Sequence, residues 1–235
     1  MMPKNQTRSR ENFSRSSGAR LTDRDLDRFP GNTLFDRLAR VVCHAGCLPR
    51  KELYEAWEVA RRVRRLFRGG RVVDLAGGHG LLAQVMILLD DSSSGAVVAD
   101  KKLPPSCTKL HAALTDAWPR LAGRVKFVEG ELDNVEILSS DVVVSSHACG
   151  RLTDVVLERA VSARARVAVL PCCHDLATDD ARDLSGWIDG AAAIDIERAL
   201  RLRRRGYMIR LQLIPAAITP KNRLLIGDPD PAIPG

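Results

Sequence analysis

The stretch from Arg71 to Leu89 constrains the fold of this chain more than any other. A short β-branched run ends in the acid Asp74, an apolar segment of helical length follows, and between them lie Gly77, Gly78 and Gly80. This order predicts a buried strand, a tight turn and a helix. Glycines in such a turn let the backbone approach a ligand closely, and the first N–H groups of the helix point into the same space. The sequence therefore predicts an α/β protein with a ligand site at this turn.

The position of the acid narrows the class of ligand. A dinucleotide site needs G-x-G-x-x-G directly after the strand, with the pyrophosphate over the start of the helix. Here the order is Asp74-x-Ala76-Gly77-Gly78-x-Gly80, and a carboxylate at the strand end repels a diphosphate but suits the ammonium of an amino acid. The order resembles the first motif of class I S-adenosylmethionine-dependent methyltransferases. A glycine-rich turn in some other α/β protein is the alternative.

Length and composition are those of one domain with appendages. At 235 residues the chain can bury a core, and with 4% aromatic residues that core must consist of Leu, Val, Ile and Ala. No apolar run approaches the ~20 residues that span a bilayer, so no membrane contact is expected. The Arg- and Ser-rich start lacks the apolar region of a secretory signal, which predicts a cytoplasmic protein with six reduced cysteines.

The positive charge lies in the N-terminal third. Residues 1–70 contain 16 Lys and Arg against 8 Asp and Glu, whereas residues 71–235 contain 20 against 21. Such an excess suggests contact with RNA, although a basic arm can also be only a solubilising tail. The predicted organisation is a disordered basic arm (1–27), a helical basic lobe (28–70), the cofactor-binding domain (71–227) and a tail (228–235).

Two helices are predicted before the glycine turn. Thr33 is the expected N-cap of a helix from Leu34 to about Ala45. Pro49 is expected to open a second helix that ends near Arg68, before two glycines. The second helix has an apolar stripe on one face and a basic face on the other. The basic face is expected either to be solvated or to flank the site. It consists of Arg50, Lys51, Arg61, Arg62, Arg64, Arg65 and Arg68.

Alternating strands and helices follow the glycine turn. Strands are predicted at 96–100, 124–131, 141–146 and 166–170, with a final hairpin of 207–214 and 224–227, and helices near 106–118, 153–163 and 194–205. This alternation predicts a Rossmann-like, mostly parallel sheet with an antiparallel last strand and helices on both faces. Asp100 ends the second strand twenty residues after Gly80, where a carboxylate accepts hydrogen bonds from ribose hydroxyls.

Chemically versatile residues follow three of these strands. In a parallel sheet the ligand lies beyond the carboxyl ends of the strands, so these segments are expected to converge on it. They are Ser145-Ser146-His147-Ala148-Cys149-Gly150, Pro171-Cys172-Cys173-His174-Asp175 and Thr219-Pro220-Lys221-Asn222-Arg223.

These segments, together with the glycine turn, resemble a methyltransferase-domain family that includes the glutathione S-transferase C-terminal domain-containing protein. They are similar, more distantly, to tRNA 2′-O-methyltransferases of the Trm-thirteen type. The resemblance covers about residues 46–227, includes the segment from Arg50 to Glu58, and implies methyl transfer from S-adenosylmethionine. By analogy with methyltransferases, an acid after the third strand would bind the adenine amino group, and Glu131 is chosen over Glu129. The expected cofactor-binding residues are Asp74, Ala76, Gly77, Gly78, Gly80, Asp100, Glu131, Ser145 and Ser146.

The acceptor is left open by the resemblance. RNA, with tRNA as one possibility, is favoured because of the basic N-terminal third. The alternatives are a protein or small-molecule methyltransferase, and a cofactor-binding module without catalysis. A hydroxyl or amine acceptor can require removal of a proton, for which His147, His174 and Lys221 are candidates, with His147 first.

The cysteines allow two further hypotheses. Cys172 or Cys173, with Cys149 nearby and a pKa lowered by His174, would suit a cytosine C5 methyltransferase. The same residues and His147 could bind a metal, and Cys43, His44 and Cys47 form a looser set. Neighbouring cysteines rarely both bind one metal, so small buried thiols near a cofactor, without a metal, are expected.

Overall fold

The computed structural model describes residues 13–175 and 186–233. It contains a seven-stranded sheet formed by β1 (Val72–Leu75), β2 (Ala96–Asp100), β3 (Val125–Glu129), β4 (Val142–Ser145), β5 (Arg166–Val169), β6 (Tyr207–Leu213) and β7 (Arg223–Pro229). The order across the sheet is β3-β2-β1-β4-β5-β7-β6. Strands β1 to β5 are parallel, and β7 pairs antiparallel with both β5 and β6. The predicted mostly parallel sheet with an antiparallel last strand is confirmed.

Strand β1 is central because its side chains can be buried on both faces of the sheet. Asp74 pairs with Val98 of β2 on one side and with Val144 of β4 on the other. All four residues of β1 are buried, as a continuous β-branched run in a parallel sheet predicts. The order of the strands reverses between β1 and β4, and this switch point is where α/β sheets bind ligands.

Helices cover both faces of the sheet. They are α1 (Leu34–Ala45), α2 (Arg50–Leu66), α3 (Leu81–Leu89), α4 (Cys107–Ala117), α5 (Arg151–Ser162) and α6 (Gly190–Arg204). Helices α1 to α4 share one apolar core with the sheet, and α5 and α6 share the other. Because α2 packs against α3 and α1 against α4, the first two helices belong to the same core as the glycine turn. No helix within residues 13–175 and 186–233 is long and apolar enough to cross a membrane.

The expectation of disorder is wrong for residues 13–27. Leu21 is fully buried, and its N–H donates to the carbonyl of Leu48 at 2.9 Å. A short 3₁₀ helix, Asp23–Arg28, follows it. This segment is ordered because one apolar side chain enters the core and its backbone pairs with the α1–α2 connection. The first twelve residues lie outside the described part of the chain.

The predicted helices differ from the structure mainly at their ends. Helix α1 begins after Thr33, whose side chain accepts a hydrogen bond from the N–H of Asp36, as expected. Helix α6 begins four residues before the predicted start because Asp189 caps it by accepting from the N–H of Ala192. The second helix ends at Leu66, two residues earlier than predicted.

One residue of the predicted basic face of α2 belongs to the core instead. Arg64 is 2% exposed and forms an ion pair with Asp90 at 3.2 Å. Its Nε donates to the carbonyl of Met86 at 3.2 Å. The guanidinium therefore ties α2 to the end of α3.

Candidate functional site

The turn after β1 lies directly against the carboxylate of Asp74. Oδ2 of Asp74 accepts a hydrogen bond from the N–H of Ala83 at 3.3 Å, whereas its Oδ1 is buried with no hydrogen-bond partner among the described residues. A Cβ on Gly77 would lie 2.8 Å from Cγ of Asp74, so a side chain there would force the turn away. Burial, opposed by the Ala83 hydrogen bond and aided by the charge of Asp100, raises the pKa of Asp74 to about 7.

Asp100 ends β2 beside the same turn. Its Oδ2 accepts from the N–H of Gly78 at 3.0 Å and its Oδ1 from the N–H of Lys102 at 3.3 Å. Gly78 has a φ of +53°, and no described atom lies within 4 Å of the position that a Cβ would take. Each carboxylate oxygen keeps a free lone pair beside this open side of the turn. The arrangement can therefore accept hydrogen bonds from the hydroxyls of a ligand.

The remaining residues predicted to bind the cofactor surround this position. Ala76, with a φ of +54°, and Gly80, with a φ of +70°, complete the turn. Ser145 ends β4 and Ser146 follows it, and the buried hydroxyl of Ser145 has no hydrogen-bond partner among the described residues. Two unpaired buried polar atoms, Oδ1 of Asp74 and Oγ of Ser145, thus lie on neighbouring strands.

These features fit S-adenosylmethionine. The Asp74 carboxylate offers an acceptor for the amino group, and Asp100 offers acceptors for the ribose. The turn itself allows close approach because Gly78 is open on its outer side. A cofactor with a cationic amino acid at one end and a nucleoside at the other matches this order of groups.

A small cavity separates the glycine turn from α2. It has a volume of about 30 Å³ and is lined by Gly77, Gly78, His79, Ser146, His147 and Glu52, with three apolar side chains behind them. This volume holds about one water molecule, not an amino-acid chain. The methionyl group therefore does not fit this cavity as it stands, and its binding on this side requires the cavity to widen.

Glu52 is a site residue that the sequence analysis missed. It lies in the first turn of α2, with Oε1 3.9 Å from Nε2 of His147 and Oε2 3.9 Å from Nδ1 of His79. Burial and the neighbouring Glu55, opposed by Lys51, raise the pKa of Glu52 to about 7. The segment from Arg50 to Glu58 was part of the family resemblance, which was the available signal.

His147 follows β4 and is half-buried against Glu52. Burial, with the charges of Lys51 and His79, lowers its pKa to about 4, although Asp100 acts in the opposite direction. The imidazole is therefore neutral at pH 7 and can accept a proton. His79 is fixed differently, because its Nε2 hydrogen bonds with Oγ of Ser106 at 2.9 Å.

The loops after β4 and β5 bring three cysteines together. The Sγ atoms of Cys149, Cys172 and Cys173 lie within 4.8 Å of one another. Cys149 and Cys173 are exposed, so the expectation of buried thiols is wrong for these two. Burial raises the pKa of Cys149 and of Cys172, which disfavours the thiolate that a cytosine C5 methyltransferase needs.

His174 takes part in a buried polar network. Its side chain is 2% exposed, and Nε2 hydrogen bonds with Oδ1 of Asp195 at 2.7 Å. Burial favours the neutral form of Asp195, but hydrogen bonds with His174 and Arg223 outweigh it and lower the pKa of that carboxyl. Arg198 contacts Asp195 and also pairs with Asp154 at 2.8 Å. This network anchors the β5 loop to α5, α6 and β7, which indicates a positioning role for His174.

Two of the predicted site residues, Glu131 and Lys221, lie at the periphery of the site. Glu131 is 67% exposed and pairs with Lys101 at 3.2 Å. Lys221 lies in the turn between β6 and β7, where its N–H donates to Oγ1 of Thr219 at 3.2 Å. The Thr219 side chain hydrogen bonds with Glu55, so this turn rests on α2.

The looser set at the end of α1 does not form a cluster. Cys43 and Cys47 are buried, and His44 pairs with Asp23 at 2.7 Å. Among the described residues, the group after β4 and β5 is the one with three metal-ligating side chains in reach of one another.

The site geometry agrees with the sequence comparisons. Residues 51–179, more than half of the chain, match a family described as a methyltransferase domain. The glutathione S-transferase C-terminal domain-containing protein of Homo sapiens is 22% identical over 202 residues, covering 68% of this chain and 30% of that protein. The Drosophila melanogaster homolog is 26% identical over 199 residues, covering 68% and 33%. The chain thus spans about a third of the length of these curated relatives.

Solved structures share the fold. The S-adenosylmethionine-dependent methyltransferase SibL in its apo form superposes with a TM-score of 0.51 at 19% identity, covering 91% of this chain and 66% of SibL. The B. subtilis M1A22 tRNA methyltransferase TrmK gives 0.50 at 14% identity, covering 74% and 66%. The match to the mitomycin 7-O-methyltransferase MmcR also gives 0.50, at 19% identity, covering 83% and 60%. Because the family match covers more than half of its length, the chain belongs to the methyltransferase domain family.

Proposed function

We propose that this methyltransferase acts on RNA, with tRNA as the first substrate class to test. The observation that supports this proposal best is a set of exposed cationic side chains that form no ion pair with any residue that the structure describes. Arg20 is exposed, and its positive charge acts on the His79 ring of the site. Lys102, two residues after Asp100, is exposed as well, as is Lys109 on α4. Exposed cations of this kind attract the phosphate backbone of a nucleic acid, which supports RNA as the substrate class.

The basic character is more local than the sequence indicates. Arg61 and Arg62 of α2 pair with Glu58, and Arg50 pairs with Asp25 at 3.5 Å. Such pairs add little to the attraction of an anion. The N-terminal third keeps other exposed cations, Arg24 and Arg65 among them, so the cations around the glycine turn and α4 are one part of the basic surface available to RNA.

Proton transfer is assigned to His147 and Glu52. S-adenosylmethionine supplies, when bound, a methyl group on a sulfonium that an acceptor oxygen or nitrogen attacks in line. The neutral His147 ring accepts the acceptor proton at Nε2, and the Glu52 carboxylate at 3.9 Å stabilises the resulting imidazolium. Asp74 and Asp100 hold the cofactor, and the Ser145–Gly150 loop positions the acceptor.

An apolar cavity favours a small molecule as the second candidate acceptor. It has a volume of about 260 Å³ and lies next to the β5 exit, and seven of its ten lining residues are apolar, the others being Asp195, Gln212 and Arg223. A pocket with this lining suits a flat apolar compound better than a polynucleotide. The fold does not separate the two candidates, since both tRNA and small-molecule methyltransferases share it.

Transfer of labelled methyl groups separates these functions. The protein is incubated with tritiated S-adenosylmethionine and total RNA, total protein or a small-molecule extract, and the label is expected in RNA. Label confined to protein or to small molecules would contradict the RNA proposal, and label in no fraction would favour a module without catalysis.

Salt dependence of RNA binding provides a second test. Filter binding should weaken as salt rises, with a slope of about −0.7 per phosphate contact for single strands. Arg20→Ala and Lys109→Ala should each weaken binding and reduce that slope. Arg210→Ala, which removes an exposed cation from edge strand β6, is the control and should leave both unchanged.

A further inference from the structure

The three cysteines beyond β4 and β5 form a compact sulfur cluster. The Sγ atoms of Cys149 and Cys172 are 3.0 Å apart, and that of Cys173 lies within 4.8 Å of both. Two of the three thiols are exposed. The cluster therefore combines proximity with access from solvent.

Hydrogen bonds on the flanks of the two loops hold this arrangement. The N–H of Gly150 donates to the carbonyl of Cys173 at 3.1 Å, which joins the loops directly. Oγ1 of Thr153 donates to the carbonyl of Ala148 at 2.6 Å, and Nη2 of Arg198 donates to that of Gly150 at 2.9 Å. The backbone on each side of the thiols is thus fixed by other groups. The sulfur atoms themselves contact one another.

We propose that Cys149, Cys172 and Cys173 bind one Zn²⁺ ion through three thiolates. A tetrahedral zinc with Zn–S bonds of about 2.3 Å places its sulfur ligands roughly 3.8 Å apart. This lies between the 3.0 Å that separates Cys149 from Cys172 and the 4.8 Å within which all three sulfur atoms lie, so binding requires the closest pair to separate slightly. Binding forms three Zn–S bonds, and the three thiol protons pass to solvent. The fourth position is open to water because two of the three ligands are at the surface.

Adjacent cysteines in regular strands point to opposite sides and cannot share an ion. This alternation does not apply to Cys172 and Cys173, because they lie after the end of β5, in a segment without regular secondary structure. A metal at this position would fix the loop after β4 to the loop after β5. His147 lies two residues before Cys149, so the ion would also restrict its position.

A disulfide between Cys149 and Cys172 is the competing outcome. It would remove two electrons and two protons, which requires an oxidant, and it would leave Cys173 unused. Zn²⁺ binding uses all three sulfur atoms and needs no redox partner. The two outcomes differ in metal content and in mass, so they can be separated experimentally.

The test is a zinc titration of the whole chain, purified with a reductant, against a chromophoric chelator. One Zn²⁺ per chain is expected, and Cys149→Ser, Cys172→Ser and Cys173→Ser should each weaken binding by at least about tenfold. Cys107→Ser removes a buried thiol of α4 and should leave zinc affinity unchanged. Absence of stoichiometric binding, or an equal loss in the Cys107 variant, would overturn the proposal.

Cobalt absorption keeps the test independent of whether the variants fold. Co²⁺ added to the unsubstituted protein should give thiolate-to-cobalt charge-transfer absorption of the strength of three sulfur ligands. Absorption from one thiolate or none would contradict the assignment. Peptide mass spectrometry that finds a Cys149–Cys172 disulfide in place of bound metal would also contradict it.

Discussion

The carboxylate of Glu52, from α2, lies 3.9 Å from Nε2 of His147, in the loop after β4. Burial shifts the pKa values of these two groups in opposite directions, because each group is less stable in its charged form there. The pKa of Glu52 is raised to about 7 and that of His147 is lowered to about 4. Near neutral pH the pair therefore holds an ionising carboxyl next to a neutral imidazole.

This pair predicts the pH dependence of methyl transfer. The rate should rise as Glu52 loses its proton, with a midpoint near pH 7, and level off above it. Glu52→Gln should lower kcat by about 10²-fold and abolish that midpoint. Glu158→Gln changes an exposed carboxylate on α5 and should preserve both. A Glu52→Gln enzyme with an unchanged pH profile would show that Glu52 takes no part in proton transfer.

Gly78 should affect cofactor binding more than stability. A Cβ added there meets no described atom, but it would occupy the open side of the turn. We expect Gly78→Ala to weaken S-adenosylmethionine binding by at least about tenfold in calorimetry. Gly123 has a φ of +70° and equally open surroundings far along the chain, so Gly123→Ala carries the same left-handed backbone penalty, roughly 1–2 kcal/mol. Equal affinities of the two variants would contradict the placement of the cofactor.

Asp74 should destabilise the free protein at neutral pH. Burial raises its pKa from 3.8 to about 7. Below pH 3.8 the carboxyl is protonated in both states. As pH rises toward 7 the unfolded form ionises first, so the folded state loses stability until about pH 7 and no more above it.

Asp74→Asn should therefore stabilise the free protein at pH 8 by on the order of 2 kcal/mol, with little effect at pH 4. The same change should weaken S-adenosylmethionine binding, since the amide lacks the charge that pairs an ammonium. Denaturant unfolding at the two pH values measures the first effect. Asp116→Asn, at an exposed position of α4, is the control. The prediction would be refuted if the stability gained by Asp74→Asn relative to wild type were smaller at pH 8 than at pH 4.

Neighbouring arginines on α2 should differ in their effect on stability. Arg64 is 2% exposed and paired with Asp90, whereas Arg65 is exposed. Arg64→Ala should lower the free energy of unfolding by about 3–5 kcal/mol because it removes the buried guanidinium and leaves the buried Asp90 with only the exposed Arg68, at 3.8 Å, as a cationic partner among the described residues. Arg65→Ala should stay within about 0.5 kcal/mol of wild type. Similar losses from both substitutions would contradict the buried role of Arg64.

The sheet was predictable because buried strands and glycine turns have local signatures. The run that ends in Asp74 and the run that ends in Asp100 each show β-branched residues followed by an acid, and both strands lie where the pattern places them. The antiparallel last strand followed from the turn around Pro220. Helix ends were less predictable, since Asp189 caps α6 from a segment with no apolar periodicity.

The site was predictable only where its residues follow strands. Glu52 escaped detection because α2 precedes the sheet in the chain, and nothing in its spacing shows that its first turn faces His147. Arg64 was placed on a basic face, either solvated or flanking the site, because helical periodicity cannot show that this side chain meets Asp90 and Ser93. The exposure of Cys149 likewise depends on how the loops after β4 and β5 pack, which the sequence does not show.

Calorimetry with S-adenosylmethionine tests the central claim most directly. The unsubstituted chain should bind one molecule, and Asp100→Ala should weaken binding by at least about tenfold because a hydrogen bond to a charged group contributes about 1.5–3 kcal/mol. Asp116→Ala should bind as the wild type does. No binding by the unsubstituted chain, or a loss below about threefold for Asp100→Ala, would contradict a cofactor held between the glycine turn and the end of β2.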